Sequence, residues 1–407
     1  MGTNRTKPSD ESSYRWVMLA LVWFVYASFG MIHRSISPLI TPIIADLQMT
    51  YSQMGLVLGS WQLTFIAAAA LAGAALDKWG IRRSLFFGTI VMALSIGLRY
   101  FTTGFWTFLI VVSLFGIGGP MISVGCPKTI SLWFKGKDRG TAVGIYMTGP
   151  WLGGAFALAA TNKVFMPLTG HSWRLTFVCF GVLTISVALL WWFFAREADA
   201  SADSGGYEIK RVFVKLIRVR NVRILLLCGL FSFAINHGFT NWLPKILETK
   251  GLSPTMAGFA SSIPLLAGIP ALLIIPRFVP PHYRGRFIAW MTLVIALSSW
   301  PVAYYDGVFV YLGLALYGMS VCTLFPLFSL ILMDTPEVGS RYMGSAGGIF
   351  FSISEIGGFM GPVAVGALVD WIGSFHASVY FVSGLSLLIF ALTFLLEDQS
   401  PPESKRP

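Results

Sequence analysis

Three ionisable side chains sit in stretches that are otherwise apolar: Arg34, Lys128 and Glu355. A charge held mid-helix in hydrocarbon costs at least about 2.5–3.5 kcal/mol, so such a residue is a candidate for function. Arg34 follows Arg15 by about 28 Å at helical rise, beyond the middle of a bilayer and out of easy snorkelling range. Its permanent charge and planar fork of donors suit a carboxylate or another oxyanion. The competing reading is a structural pair with an acid. Lys128, near the end of its apolar run, reads either as the inner part of an anion path or as a lysine snorkelling to the headgroups. Glu355 is the only carboxylate deep in an apolar run. It can carry a coupled proton, alternating between charged and neutral forms as water access changes, or it can neutralise Arg34 or Lys128.

Weaker candidates accompany these. His33 and His237, the latter flanked by Asn236 and Asn241, can hydrogen-bond a substrate or titrate near neutral pH. A histidine on a helix also commonly satisfies a neighbour. Gln62, Tyr146, Trp151 and Tyr317 could line a pore, although packing or lipid contact is the default where aromatic residues reach 15%. No Walker loop, no zinc or haem spacing and no GxSxG elbow occurs, which points away from ATP-driven transport, bound cofactors or metals, and membrane hydrolases. Cys126, Cys179, Cys228 and Cys322 all fall in apolar runs without ligand spacing and read as small buried hydrophobes.

The elements that must position these residues are those of a chain dissolved in lipid. Hydrophobic residues make up 55% of the 407 and charged residues 12%, about half the roughly 25% of soluble domains. That excludes a secreted, disordered, collagen-like or nucleic-acid-binding chain, despite the net charge of +11. Apolar spans are predicted at 15–45, 52–76, 84–103, 105–133, 140–166, 173–195, 222–247, 255–279, 287–304, 307–333, 342–370 and 376–396. Each is of a length that crosses a bilayer. The prediction is an all-α polytopic membrane protein with twelve transmembrane helices and both termini on one side. Of the 29 Lys and Arg, that side receives 22, and Arg34 and Lys128 lie within spans. The opposite side holds Arg99, Lys163, Arg174, Lys245 and Lys250. The bias predicts cytoplasmic termini in a plasma (bacterial inner) membrane.

The longest polar stretch, 196–221, divides six spans from six. The expected organisation is a tail 1–14, a six-helix bundle 15–195, a cytoplasmic central loop 196–221, a second bundle 222–396 and a tail 397–407. The basic end of the central loop could meet anionic headgroups. The halves also repeat: one shift of register lays 140–146 on 344–350, Gly153 and Gly154 on Gly357 and Gly358, and His33 on His237. Duplicated six-span halves predict a transporter with its site near the midplane.

Between the second and third spans lie Gly73, Asp77, Lys78, Gly80, Arg82 and Arg83. A glycine, an acid, a glycine and a basic pair in that place resemble the signature loop of the major facilitator superfamily. With twelve spans, a central loop and repeated halves, the resemblance covers essentially the whole chain. It implies two pseudo-symmetric six-helix bundles and a gating role for this loop, with Arg139 on the same side. Gly73 and Gly80 are expected to permit close packing and a tight turn. Asp77 is expected to pair with a cytoplasmic arginine or cap a helix N-terminus. The second half keeps only Arg284, Gly285 and Arg286 of this pattern. Gly149, Pro150, Gly153 and Gly154 resemble the span-5 motif of drug/proton antiporters, but Ile145 stands where that motif begins with glycine. They are read as a packing and bending element.

The residues between Asn241 and Gly258 are similar to the seventh span of cyanate-type and monocarboxylate-type permeases. Similar carriers of organic anions place a substrate-binding arginine in the first span, as Arg34 is here. The resulting expectation is a secondary carrier of a small organic anion, most plausibly a mono- or dicarboxylate, coupled to protons by symport or working as an anion exchanger. Arg34 would bind the anion with Lys128 and His237, and the family implies a monomer. A multidrug or metabolite exporter is the alternative, and a transporter-like receptor is a third.

Overall fold

The computed structural model describes residues 8–197 and 216–396. The C-terminal tail, the first half of the N-terminal tail and most of the central loop lie outside the described residues. Within them the chain is helical and contains no strand. Hydrocarbon leaves little choice, because it offers backbone N–H and C=O groups no partner and a helix satisfies them internally.

In order the helices are α1 (Pro8–Arg34), α2 (Ile40–Leu47), α3 (Tyr51–Leu98), α4 (Phe105–Trp133), α5 (Gly136–Ala160), α6 (Trp173–Phe194), α7 (Arg220–Thr249), α8 (Pro254–Phe278), α9 (Arg284–Tyr304), α10 (Val308–Asp334), α11 (Gly339–Ile372) and α12 (His376–Thr393). Among the described residues, 11 helical stretches are long and apolar enough to cross a membrane. The expected spans 52–76 and 84–103 fall in one helix, α3, of which the stretch counted among the 11 is Leu71–Phe101. The 48 residues of α3 would reach about 72 Å if straight, more than twice the hydrocarbon thickness. It is not straight. Gly80 lies at φ 78°, ψ 172°, a conformation natural to glycine. Ser84 Oγ donates to the Ala75 carbonyl across the bend at 3.2 Å. Gly125 of α4 lies against both Leu76 and Leu85, so residues 81–98 turn back beside those before the bend.

The expected span 15–45 is also interrupted. α1 stops at Arg34, a 3₁₀ turn occupies Ser37–Leu39, and α2 follows. The helix therefore breaks at its buried charge.

Two compact units are formed, one within Met1–Ile36 and Thr64–Asp203, the other within Ser37–Leu63 and Ser204–Pro407. In the first, α1 packs against α5 through glycines. A Cβ on Gly153 would overlap the Ala27 carbonyl oxygen, one on Gly30 would overlap the Pro150 backbone, and one on Gly149 would lie 3.0 Å from Trp23 O. In the second, α7 packs against α11 in the same way, with Gly357 on the Leu230 carbonyl and Gly361 on that of Ala234. Lipid tails are as apolar as leucine, so close backbone approach and the dispersion it permits hold such pairs together. Gly153 and Gly357 share a register in the repeat, and each half uses the same contact.

The division between units does not follow the central loop, because residues 37–63 group with the C-terminal half. Asp370, near the end of α11, accepts from Tyr51 N at 3.1 Å and Ser52 N at 2.7 Å. An acid there also suits the positive end of α3. Gly55 and Gly59 lie against Pro362 and Phe359 of α11. Lys245 Nζ donates to Thr41 Oγ1 at 2.9 Å, and Thr41 donates in turn to Glu248.

Candidate functional site

In the second unit, three polar side chains converge midway along α11. Glu355 and Gly358 lie one turn apart on that helix and therefore on one face. A Cβ at Gly358 would sit 3.0 Å from Glu355 Oε2, 3.2 Å from His237 Cδ2 and 3.3 Å from Gln62 Nε2. Glycine here leaves the side chains of α3, α7 and α11 room to meet. Gln62 Nε2 is 3.4 Å from His237 Nδ1, and Trp61 and Phe233 flank the imidazole at centroid distances of 6.2 and 5.8 Å. All three polar residues are buried, Gln62 completely. Glu355 Oε2 and Gln62 Oε1 are buried without a hydrogen-bond partner among the described residues. A buried polar atom left unmatched is costly, and such atoms cluster where a ligand, water or proton belongs. Gly358 thus faces the cluster, whereas its neighbour Gly357 packs on α7.

In the same unit Tyr317 is fully buried and its hydroxyl donates to the Ile235 carbonyl at 3.3 Å. Asn241 is buried as well, and the Asn236 carbonyl accepts from Thr240. None of these three supplies one of the three atoms nearest a Cβ at Gly358.

In the first unit Arg34 is only 5% exposed. A Cβ on Gly154 of α5 would lie 3.0 Å from its Cγ, so the glycine leaves a track for the arginine stem. His33 is half-buried and meets Phe29 at 6.4 Å between centroids. Tyr146 is buried and stacked on Tyr26 at 5.9 Å. Lys128 is not poised as an open cation: its ammonium pairs with Asp77 at 2.6 Å. The partner of Asp77 is thus this lysine of α4, in place of the expected arginine.

The loop of glycines and charges divides its expected tasks among other residues. Gly80 makes the turn, but the space beside Gly73 is open and no close packing depends on it. The cap expected of Asp77 comes from Glu197, whose Oε1 accepts from Ile81 N at 2.6 Å and whose Oε2 accepts from Arg82 N at 3.1 Å. Arg82 in turn donates to the Trp192 carbonyl at 2.6 Å and lies over the Trp192 ring at 5.0 Å. Lys78, Arg83 and Arg139 are exposed. Arg15 holds Asp138, beside Arg139, at 2.8 Å.

Two residues are not singled out by the sequence. Arg99, expected in an outward loop, is 1% exposed. Its position inside the apolar run 84–103 is the available signal. Glu197 offers none, since it caps a helix 116 residues earlier in the chain.

Comparison with known proteins agrees with this architecture. The family model described as Major Facilitator Superfamily matches residues 22–362. A hexuronate transporter of Bacillus subtilis is 25% identical over 90% of this chain and 91% of its own. A probable galactarate/D-glucarate transporter, GudP, of Escherichia coli is 24% identical over 94% and 92%. Among solved structures, a point mutant of the nucleoside transporter NupG superposes with a TM-score of 0.79 at 17% identity, covering 93% of this chain and 99% of that one. At that identity the structural likeness speaks for the fold.

The loop contacts predict a separation of effects. Glu197→Ala removes two hydrogen bonds from a helix start and should cost about 1–2 kcal/mol of stability. Asp77→Asn breaks an exposed pair worth at most about 1 kcal/mol, so it should leave thermal stability and ligand binding nearly unchanged while slowing transport. Melting curves and initial rates in liposomes check both; unchanged rates in Asp77→Asn would remove that pair from the transport cycle.

Proposed function

Because the chain belongs to the major facilitator superfamily, we propose that it is a secondary active carrier of a small organic anion, a mono- or dicarboxylate, working by alternating access. The chain is an integral membrane transporter and not an enzyme. The observation that carries the anion reading is the guanidinium of Arg34, buried where α1 breaks. Discontinuous spans near the midplane are where carriers build substrate sites, and an arginine there offers a charge that no pH change removes, with paired donors for a carboxylate. The named anion substrates of the relatives support the same class.

Glu355 is assigned the coupled proton. It is buried mid-span with an oxygen unmatched among the described residues, and it gathers with His237 and Gln62 around Gly358. Symport requires a group that changes charge as access alternates, and Glu355 is the carboxylate placed for it; anion exchange would use the same anion site without that step. His237, Gln62, Asn236, Asn241, His33, Tyr146 and Tyr317 are the candidates for contacts to the rest of the substrate. Lys128 acts with Asp77 at the gating loop rather than on the anion. The excess of Lys and Arg on one side supports cytoplasmic termini, and the functional unit is a monomer. The stretch 149–154 is accounted for by packing of α5 on α1, and so lends an exporter no separate support.

Two measurements test this reading. Detergent-purified protein should be stabilised by one class of small carboxylate, by about 2.7 kcal/mol at a hundred times its Kd, and Arg34→Ala should lose that shift. Stabilisation by lipophilic cations, indifferent to Arg34, would favour the exporter. In liposomes, Glu355→Gln should abolish uptake driven by a pH gradient while carboxylate exchange persists. Retained pH drive would remove Glu355 from proton coupling.

A further inference from the structure

Arg99 has no part in the proposed function, and its burial calls for an explanation. Its guanidinium lies in the first unit at 1% exposure, and among the described residues no acid pairs with it. A permanent charge inside a membrane-spanning bundle is expensive without such compensation. What it touches is specific. Nη1 donates to Ser35 Oγ at 3.0 Å, and the guanidinium lies over the Phe177 ring at 4.9 Å. Nε is buried without a hydrogen-bond partner among the described residues.

Ser35 is the residue at which α1 ends. It is completely buried, and both its amide and its hydroxyl donate to the Ile32 carbonyl, at 3.3 and 2.7 Å. The last carbonyls of a helix lack intrahelical partners and form its negative end. A cation relayed through a serine to one of those carbonyls satisfies hydrogen bonding and dipole together. The surroundings fix Arg99 in turn. Its carbonyl accepts from Thr102 Oγ1 at 2.7 Å, and Arg174 Nη2 donates to the Thr102 carbonyl at 3.0 Å. Phe177 is completely buried and packed against Phe108 and Trp173.

We propose that Arg99 is a positioning residue for Arg34: through Ser35 it fixes where α1 ends, and so aims the guanidinium that binds the substrate anion. Arg34 is the last residue of α1, immediately before Ser35. If α1 ended one residue earlier, Arg34 would leave helical geometry and its stem would leave the track along Gly154. Arg99 touches no substrate. Its fork can hold the Ser35 hydroxyl while stacking on Phe177, which a lysine cannot reproduce.

The inference rests on the anion reading of Arg34, and the experiment separates the two. Ser35→Ala, Arg99→Lys and Arg34→Lys, with the double variants Ser35→Ala/Arg34→Lys and Arg99→Lys/Arg34→Lys, would be reconstituted in liposomes. Exchange of whichever of glucuronate, succinate or lactate stabilises the wild type most is then followed. Ser35→Ala and Arg99→Lys should each raise KM roughly tenfold, the worth of about one hydrogen bond to a charged network, with the maximal rate within about twofold of wild type. In the Arg34→Lys background either change should have little further effect, because residues acting through one another are not additive. Ser35→Ala removes one oxygen and keeps the result interpretable if Arg99→Lys folds poorly. An unchanged KM in Ser35→Ala, or effects that add fully to those of Arg34→Lys, would overturn the positioning role. If Arg34→Ala itself binds the carboxylate as wild type does, the anion reading fails first, and the positioning role falls with it.

Discussion

Lipid supplies no hydrogen-bond partners, and this scarcity governs the molecule. Backbone groups find partners by staying helical, and where a helix stops, something must take over. At Gly80 it is Glu197, which accepts from Ile81 and Arg82. At Arg34 it is Ser35 backed by Arg99. At the start of α3 it is Asp370, accepting from Tyr51 and Ser52. Arg34 stands at such a break, whereas Glu355 lies within the continuous α11. A carrier needs polar groups near the middle of the membrane, and the same constraint that makes them expensive decides where they can be placed.

Close packing supplies the second condition. Helices in lipid gain little by hiding apolar surface from one another, so they associate where small residues let backbones touch. α1 meets α5 at Gly30 and Gly153, and α7 meets α11 at Gly357 and Gly361. These contacts hold the helices bearing Arg34, His237 and Glu355 at fixed separations within their units. Gly154 and Gly358, each next to a packing glycine, leave room for buried polar side chains instead. One glycine of each pair therefore holds the backbone and the other opens space for Arg34 or for the Glu355 cluster.

Much of this is legible in the sequence. Apolar runs mark the helices nearly to their ends, as at 105–133 and 173–195, because hydrophobicity over a bilayer's width is a local property. The internal repeat reveals paired glycines, and the rarity of charge in apolar runs marks Arg34 and Glu355. What escapes depends on residues far apart in the chain. Spacing alone does not tell that Lys128 answers Asp77, or that Glu197 rather than Asp77 caps the turn. Nor does it show that residues 37–63 pack with the C-terminal half, since their glycines do not name their partners. Arg99 is misplaced by sequence because charge at the edge of a span normally means a loop. Here an aromatic wall and one serine keep it inside.

The central claim is that the buried charges belong to a carrier of organic anions. Counterflow of the wild-type protein tests it most directly. Liposomes would be preloaded with unlabelled glucuronate, succinate or lactate and diluted into a trace of the same labelled acid, at equal pH and without ATP or an ion gradient. The account predicts transient accumulation of label above equilibrium for at least one of these acids, absent from protein-free liposomes. No accumulation for any carboxylate, alongside clear counterflow of a lipophilic cation, would contradict it.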